Sequence, residues 1–535
     1  MKSDLGTTNK GLLITSPKEV REQNYRISGN YFLSILIRRN VLEVCFPLCS
    51  ESCLVCFKIN NFLSEEDFSG EGWIGLSSKE KDVKIVIPPR KPGFYAGKRI
   101  SKGLKVEAYS KIFWEIQRHV EILRTNWSDL PAYYASVGKH LPSIAFKETD
   151  NGCFIGIGDT PDRAILNSIH LARLGEQSLQ TETEKFLSRF EETEWKLLRD
   201  NIFVSLFYSN SICIDQEDNC IMASKSPKYY VSGGFWARDF IFWTLPVIEK
   251  YDNNRGKELI SLLLNKYWKN KGIHALYLDG RILYDGFELD ELSFYFLILE
   301  RAVHYKIIDP ERSIVLANEL MDILVARKSD RFNLFSTYLN SSDDPVTYPY
   351  VTFDNVALWY SIRKYGSKIS ETTLDRSYLE YSNKIREDTM REMVKEGMFC
   401  YSSDLNGNYE FYDDPTGSLL LLPYLGFIKK DSEVMRNTLN WIKSDKNYFR
   451  IEGRFRGYGN RHVRHPWMHE YATEILSGYA DQSLIKGIPL DGGISCETID
   501  ETTGKCATGI HFPGSSAFLV QSLINWSEKD RISKA

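Results

Sequence analysis

A chain of 535 residues is too long for one small core, so two domains are expected. An apolar content of 43% beside 26% charged residues is that of a globular protein and excludes a disordered or membrane-embedded chain. The net charge of −4 gives nucleic acid and anionic membranes no electrostatic hold, so neither is expected as a partner.

The opening residues, Met1-Lys2-Ser3-Asp4-Leu5-Gly6, hold no apolar core of signal-peptide length. No later run approaches the roughly 18 apolar residues of a membrane span. The expectation is a soluble, cytoplasmic protein. Residues 1–110 read as an N-terminal β-rich domain. Tyr31 to Ile37, Val41 to Phe46, Cys53 to Ile59 and Val83 to Ile87 are short β-branched or aromatic runs between turn residues. Cys49, Cys53 and Cys56 have the spacing of a radical S-adenosylmethionine iron–sulfur motif. Val55 stands where that motif carries an aromatic, however, and the flanks alternate like the strands of a hairpin around Ser50-Glu51-Ser52. Cys45, Cys49, Cys53 and Cys56 are therefore read as half-buried thiols, with no metal or cluster.

Residues 111–200 read as a transitional, helical linker. Ser110 to Arg124 has helical spacing, Phe154 to Asp159 resembles a strand and turn, and Thr160-Pro161 opens a helix. Gly156-x-Gly158 lacks the third glycine of a dinucleotide fingerprint, so no cofactor is assigned.

From 201 to 535 the period changes to that of amphipathic helices. Leu289, Leu292, Phe296, Leu299 and Val303 step by three and four. Comparable segments lie near 239–251, 257–269, 311–327, 350–364, 374–395, 417–428, 432–444, 467–479 and 515–526. Long polar loops separate them, and such loops are usually functional. The pattern predicts a mainly α fold, an (α/α)6 barrel carrying the N-terminal β-rich domain.

Acidic clusters fall at the helix junctions: Trp236-Ala237-Arg238-Asp239, Glu288-Leu289-Asp290-Glu291, Ser342-Asp343-Asp344, Asp413-Asp414 and Cys496-Glu497-Thr498. Each has an innocent reading, as a helix cap, a structural ion pair or a solvated loop charge. Glycoside cleavage without a metal needs two such carboxyls, one to protonate the leaving oxygen and one to activate water. In the inverting variant they stand about 6.5–9.5 Å apart. The acids may come from different loops, as here.

In order and interval these clusters resemble glycoside hydrolase family 125, the metal-independent exo-α-1,6-mannosidases, and more distantly the glucoamylase-like (α/α)6 enzymes. Trp236-Ala237-Arg238-Asp239 resembles the family's Trp-x-Arg-Asp-Ser, and Phe287-Glu288-Leu289-Asp290-Glu291-Leu292 its Tyr-Glu-Ile-Asp-Ser-Leu. Ser342-Asp343-Asp344 resembles its Ser-Asp-Asp. Gly407-Asn408-Tyr409, Asp413-Asp414 and Pro423-Tyr424-Leu425 follow the next block. Gly457-Tyr458-Gly459-Asn460-Arg461-His462 keeps part of a Gly-x-Gly-Ser-Pro-His loop, and Cys496-Glu497-Thr498 occupies the place of a terminal His-Glu-Gly. The resemblance spans about residues 230 to 526 and implies Asp343 as general acid and Glu497 as general base. It also implies Arg238, Asp239, Glu288, Asp290, Asp344, Asp414 and His462 around the terminal sugar, with Trp236 or Trp467 stacked on it. Phe240 in place of Ser, Cys496 in place of His and the missing Ser-Pro bear on sugar preference more than on the acid–base pair. The expected activity is inverting, exo-acting hydrolysis of α-mannosides, with an oligosaccharide or glycoside as partner. An α-glucosidase of glucoamylase or debranching type and a non-catalytic glycan-binding barrel are the alternatives.

Two further patterns stand apart. His465-x3-His469 has ligand spacing on a helix without the full His-Glu-x-x-His order, so both are read as core or pocket histidines. Arg450, Arg454, Arg456, Arg461 and Arg464 form a basic run that reads as a solvated face or as a site for an acidic glycan.

Overall fold

The computed structural model describes residues 234–277 and 280–534, the stretches 196–212 and 219–224, a few single positions and the backbone of the strands between Leu5 and Gly158. The chain divides into two compact units. One comprises Met1–Arg199, Leu206–Phe235 and Tyr277–Asp279, the other Asp200–Ser205, Trp236–Leu276 and Gly280–Ala535.

The first unit holds two antiparallel sheets. A seven-stranded sheet runs Leu5–Thr8, Gly11–Thr15, Gly152–Gly158, Ser143–Thr149, Leu130–Ser136, Ile116–Trp127 and Asp82–Ile87 in spatial order. A six-stranded sheet runs Arg26–Ile27, Ser34–Arg38, Val41–Leu48, Cys53–Ile59, Leu104–Glu107 and Lys98–Arg99. The expected hairpin is present, with Cys45 opposite Cys56. Side chains of the Cys45–Cys56 cluster lie outside the described residues.

Strand structure continues past residue 110. Where helical spacing was read over Ser110–Arg124, the chain forms the strand Ile116–Trp127. Ile116, Val120 and Leu123 satisfy a helical step, but Ile116, Val120 and Ile122 equally satisfy a two-residue one. Pairing on both edges, to Asp82–Ile87 and Leu130–Ser136, decides between them. The expected helix from Thr160 lies largely outside the described residues.

The second unit is mainly helical. The predicted stripe is buried from Leu289 to Val303 and is carried by Leu289–Ser293 and Tyr295–His304. Helix Thr352–Thr373 packs against both and against Ser377–Glu392. Asp309 caps Pro310–Val325 by accepting the Arg312 N–H at 2.6 Å, and Ser432 caps Glu433–Ile442. The final helix, Pro513–Lys534, packs on Met468–Leu476 and on the π-helical turn Asp239–Thr244. Phe242 stacks on Phe294 at 4.6 Å, and Trp243, His469, Phe512 and Phe518 fill the space beside them. Each such buried aromatic contributes on the order of 1.5–3 kcal/mol. Gln521 donates its amide to the Trp243 carbonyl at 2.5 Å and the Phe242 carbonyl at 3.2 Å, tying the final helix to this turn.

One predicted helix is absent. Residues 417–428 form only short 3-10 turns, Pro415–Gly417 and Leu419–Leu421. Here side chains take the amides a helix would use: Asp414 accepts Thr416 N–H (3.1 Å), Asp413 accepts Leu419 N–H (2.8 Å) and Ser418 accepts Leu420 N–H (3.1 Å). Pro423 adds a missing donor. Among the described residues no helix is long and apolar enough to cross a membrane.

Candidate active site

The site begins with a buried guanidinium. Arg238 leads into the π-helical turn, and its side chain is 3% exposed. It reaches Glu288 at 2.7 Å, Asp239 and Asp343 at 3.2 Å, Asp290 at 3.4 Å and Glu291 at 3.9 Å. Asp290 and Glu291 open the helix Leu289–Ser293, where the peptide dipoles favour negative charge. His274, on the strand Ile273–Tyr277, hydrogen-bonds Glu288 and lies 3.7 Å from Asp343.

Acid outnumbers base in this nest. Burial pushes the Asp239 carboxyl up to about 7 against the pull of Arg238, with Asp343 and Glu288 adding to the rise. Burial likewise lifts Glu288 to about 6, and drives Glu291 and the underlying Asp354 well above the carboxylate range. At His274 burial works downward, but the Asp343 and Glu288 carboxylates outweigh it and raise the ring to about 9. Thus Glu288 and His274 move the same way for different reasons. Burial dominates the first and neighbouring anions the second.

Asp343 sits on a tight turn in the left-handed region, φ 68°, a conformation that Asp tolerates better than most residues. Asn340 closes the turn, its side-chain oxygen accepting the Ser342 and Asp344 N–H groups at 3.0 Å each. Ser341 donates to Asp290 at 2.7 Å. Ser342 bonds Asp414, and Asn460 donates to its hydroxyl at 2.6 Å. Gly417 packs so close to Ser341 and Phe353 that a Cβ would collide with both. The turn sends the two acids different ways: Asp343, 32% exposed, faces Arg238 and His274, whereas Asp344 faces His462 at 3.5 Å.

Glu497 comes from the opposite end of the unit's sequence. Its carbonyl accepts the Met468 N–H at 2.8 Å and its own N–H donates to Gly509 at 3.3 Å. Asn201 brackets the preceding loop, donating to the Gly493 carbonyl at 2.8 Å and accepting the Ser495 N–H at 2.9 Å. Ser515 donates to the Cys496 carbonyl at 2.6 Å. A disulfide joins Cys496 to Cys506. His462 links the two ends. Its hydrogen bond to Asp344 raises it most, and the charges of Asp344, Asp343 and Glu497 all add.

The structure therefore brings Arg238, Asp239, Glu288, Asp290 and Asp343 into one nest, with Asp344 and His462 paired beside it, while Glu497 adds to the charge felt at His462. Trp236 meets His274 edge-on at 6.0 Å, and Trp467 leads into the helix Met468–Leu476. The indole N–H of each is buried with no partner among the described residues. Asp414 has a different position. Asn340, Ser342, Tyr412 and Thr416 all donate to it, so its lone pairs are committed to the Asp343 turn. Asp413 is similarly taken by Ser418, Tyr458 and Leu419.

His274, Glu288 and Asp343 have ligand atoms within 4.8 Å of one another, close enough for a metal ion. Arg238 contacts both carboxylates, though, and its charge opposes a dication there. His465 pairs with Glu501 at 2.9 Å, while His469 is fully buried among aromatics and lowered to about 3 by burial and the Arg238 charge. The arginine run also disperses: Arg461 pairs with Glu410, Arg450 with Asp445 and Glu452, and Arg464 lies on Tyr448.

Residues 324–488 match the family described as metal-independent alpha-mannosidase (GH125). The chain carries a GH125-like domain. That span includes Asp343, Asp344, Asp414, His462 and Trp467, whereas Arg238, Glu288 and Glu497 lie outside it. The chain is 25% identical over 170 residues to the meiotically up-regulated gene 157 protein of Schizosaccharomyces pombe, covering 29% of this chain and 33% of that protein. It is thus matched to about a third of that relative. The structure resembles a Streptococcus pneumoniae metal-independent alpha mannosidase, solved in a non-productive complex with alpha-1,6-mannobiose. That match has a TM-score of 0.52 and 15% identity, over 66% of this chain and 99% of that one. It also resembles a bacterial glucoamylase complexed with acarbose, with a TM-score of 0.56 and 15% identity, over 98% and 85% of the two chains. These likenesses show a shared, mainly helical fold.

Proposed function

We propose that the GH125-like site is that of an inverting, exo-acting α-glycoside hydrolase that releases a terminal sugar, with α-1,6-linked mannose the leading substrate. The observation that carries this reading is the convergence of Glu288, Asp290 and Asp343 on the buried Arg238 guanidinium, with Asp344, on the same turn as Asp343, facing the half-exposed ring of His462. Asp343 would donate its proton to the leaving oxygen. Glu497 would take a proton from the water that attacks the anomeric carbon from the other face.

The nest suits a neutral polyol. Arg238 is outnumbered by carboxylates, so a ligand that donates hydroxyl hydrogens satisfies the site and an anionic ligand does not. Arg238, Asp239, Glu288, Asp290 and His462 would hold sugar hydroxyls. Trp236 and Trp467 would add buried indole N–H groups that have no partner among the described residues. Asp414 would act only through the turn it supports. An α-glucosidase remains the second reading, favoured by the glucoamylase likeness and by Phe240 and Cys496 at positions that differ from the family pattern. A cytoplasmic setting and the Cys496–Cys506 disulfide pull in opposite directions, because cytosolic thiol pools keep most cysteines reduced.

The test is a hydrolysis assay on α-1,6-mannobiose, maltose and isomaltose with the native chain, Asp343→Asn and Glu497→Gln. Cleavage of mannobiose, lost by about 10²–10⁴-fold in each variant, is expected. Cleavage of the glucosides alone moves the substrate to the second reading. Full activity in either variant contradicts the assigned pair.

A further inference from the structure

We infer that the Cys496–Cys506 disulfide is a positioning element for the carboxylate at Glu497, so that the redox state of this one bridge sets the rate of the reaction. The inference rests on the reading of Glu497 as general base. Cys496 is the residue immediately before Glu497 and is completely buried. Cys506 begins the return strand Cys506–Thr508, which pairs with Thr498–Ile499 through an irregular register, Thr498 opposite Thr508 and Ile499 opposite Cys506. A ladder this short, with a register shift inside it, holds its ends weakly. The bridge spans ten positions and ties the residue before Glu497 to the turn-side end of the return strand. The same strand leads to Gly509, φ 55°, whose Cα lies against the Glu497 carboxyl so closely that a Cβ would collide with it. Opening the bridge therefore frees both walls of the Glu497 side chain, the residue before it and the strand that ends against it.

Reduction is open to chemistry from one side. Cys506 is half-buried, whereas Cys496 is fully enclosed. A dithiol would attack the Cys506 sulfur as thiolate and expel the Cys496 thiolate, which takes up a proton. The second thiol of the reagent then displaces Cys506, leaving two protein thiols and a cyclic disulfide of the reagent. Cys220 and Cys400, which lie outside disulfides, are buried, and burial lifts Cys400 to about 12, so neither competes.

The experiment compares kcat and KM of the air-purified protein before and after dithiothreitol, with the state of the 496–506 pair read by peptide mass. Reduction is expected to lower kcat about tenfold or more with KM within about twofold, and reoxidation to restore it. Cys506→Ser should show the lowered kcat in both conditions. Ser515→Ala, which releases the Cys496 carbonyl but keeps the bridge, should lower kcat less and stay sensitive to reductant. Near-UV circular dichroism on the same samples reports whether the fold persists. Unchanged kcat after proven reduction, two free thiols in the active air-purified protein, or a fall in kcat that tracks loss of near-UV signal would overturn the inference and leave Glu497 untouched. Full activity in Glu497→Gln would instead remove the base assignment on which it stands.

Discussion

The two candidate catalytic carboxylates are held by contrasting means. The Asp343 turn is fixed by a buried side-chain web in which Asn340, Ser341, Ser342, Asp414 and Asn460 satisfy one another. The Glu497 hairpin has backbone pairing, a packed glycine and a disulfide. A buried polar web is rigid only while every member is paired, so it fails at any single deletion. The hairpin relies on close packing and one covalent link, so it fails by local steric or redox change. Rigidity at both ends matters because a misplacement of about 1 Å can cost about 10²-fold in rate.

The largest effect expected on the acid side is that of Arg238→Ala. Removing the guanidinium leaves Asp239, Glu288 and Asp290 buried without their counterion, and a loss of about 3–5 kcal/mol in unfolding free energy should appear in urea titration. A smaller loss would mean that these carboxyls take up protons readily enough to do without it. On the base side Gly509→Ala puts a methyl where the Glu497 carboxyl lies, so kcat should fall about 10²-fold, with a drop in Tm from the alanine held at positive φ. A variant that keeps its rate would break the comparison, because the hairpin would then be able to yield. Asn460→Ala leaves the Ser342 hydroxyl and the Val463 N–H each short of a partner, for a cost of about 1–3 kcal/mol.

The acid side should also respond to pH. In the folded protein Asp239 stands at about 7 against 3.8, Glu288 at about 6 against 4.5 and His274 at about 9 against 6.5. All three bind protons more tightly folded than unfolded, so their contribution to stability is full at low pH and falls as pH rises. The carboxyl part is lost through about pH 6 to 7 and the His274 part through about pH 9. A Tm series should therefore decline from pH 5 to 9. Asp354→Asn, the mildest change, should alter Tm by less than the equivalent of about 1 kcal/mol at pH 5 and flatten the alkaline decline. Burial, with the neighbouring Asp290 and Glu288 charges, pushes the Asp354 carboxyl well above the carboxylate range, and neither of its oxygens has a hydrogen-bond partner among the described residues. A steeper decline in the variant would contradict that state.

Legibility in the sequence followed how local each cause was. The stripe from Leu289 to Val303 was readable because one buried face repeats at a fixed step. The strand Ile116–Trp127 was not, because its apolar residues fit both periods and only its two pairing partners choose. Residues 417–428 looked helical by apolar content, but Asp413, Asp414 and Ser418 divert the amides. The acids of the site stood out as clusters at helix junctions. Asp414 did too, although two of its donors, Asn340 and Ser342, come from more than 70 positions away and turn it into support for Asp343. His274 lies alone in an apolar strand and Asp354 inside a helix, so neither carries a local pattern. Cys496 and Cys506 have no recognisable spacing, and their pairing depends on the fold of the hairpin.

The most direct measurement is proton NMR of the native chain acting on α-1,6-mannobiose, recording which anomer appears before mutarotation. An Asp343 acid and a Glu497 base acting through water predict that β-mannose appears first and that Glu497→Gln releases none. The α anomer appearing first would require a covalent intermediate on an enzyme carboxylate and would contradict the assigned roles.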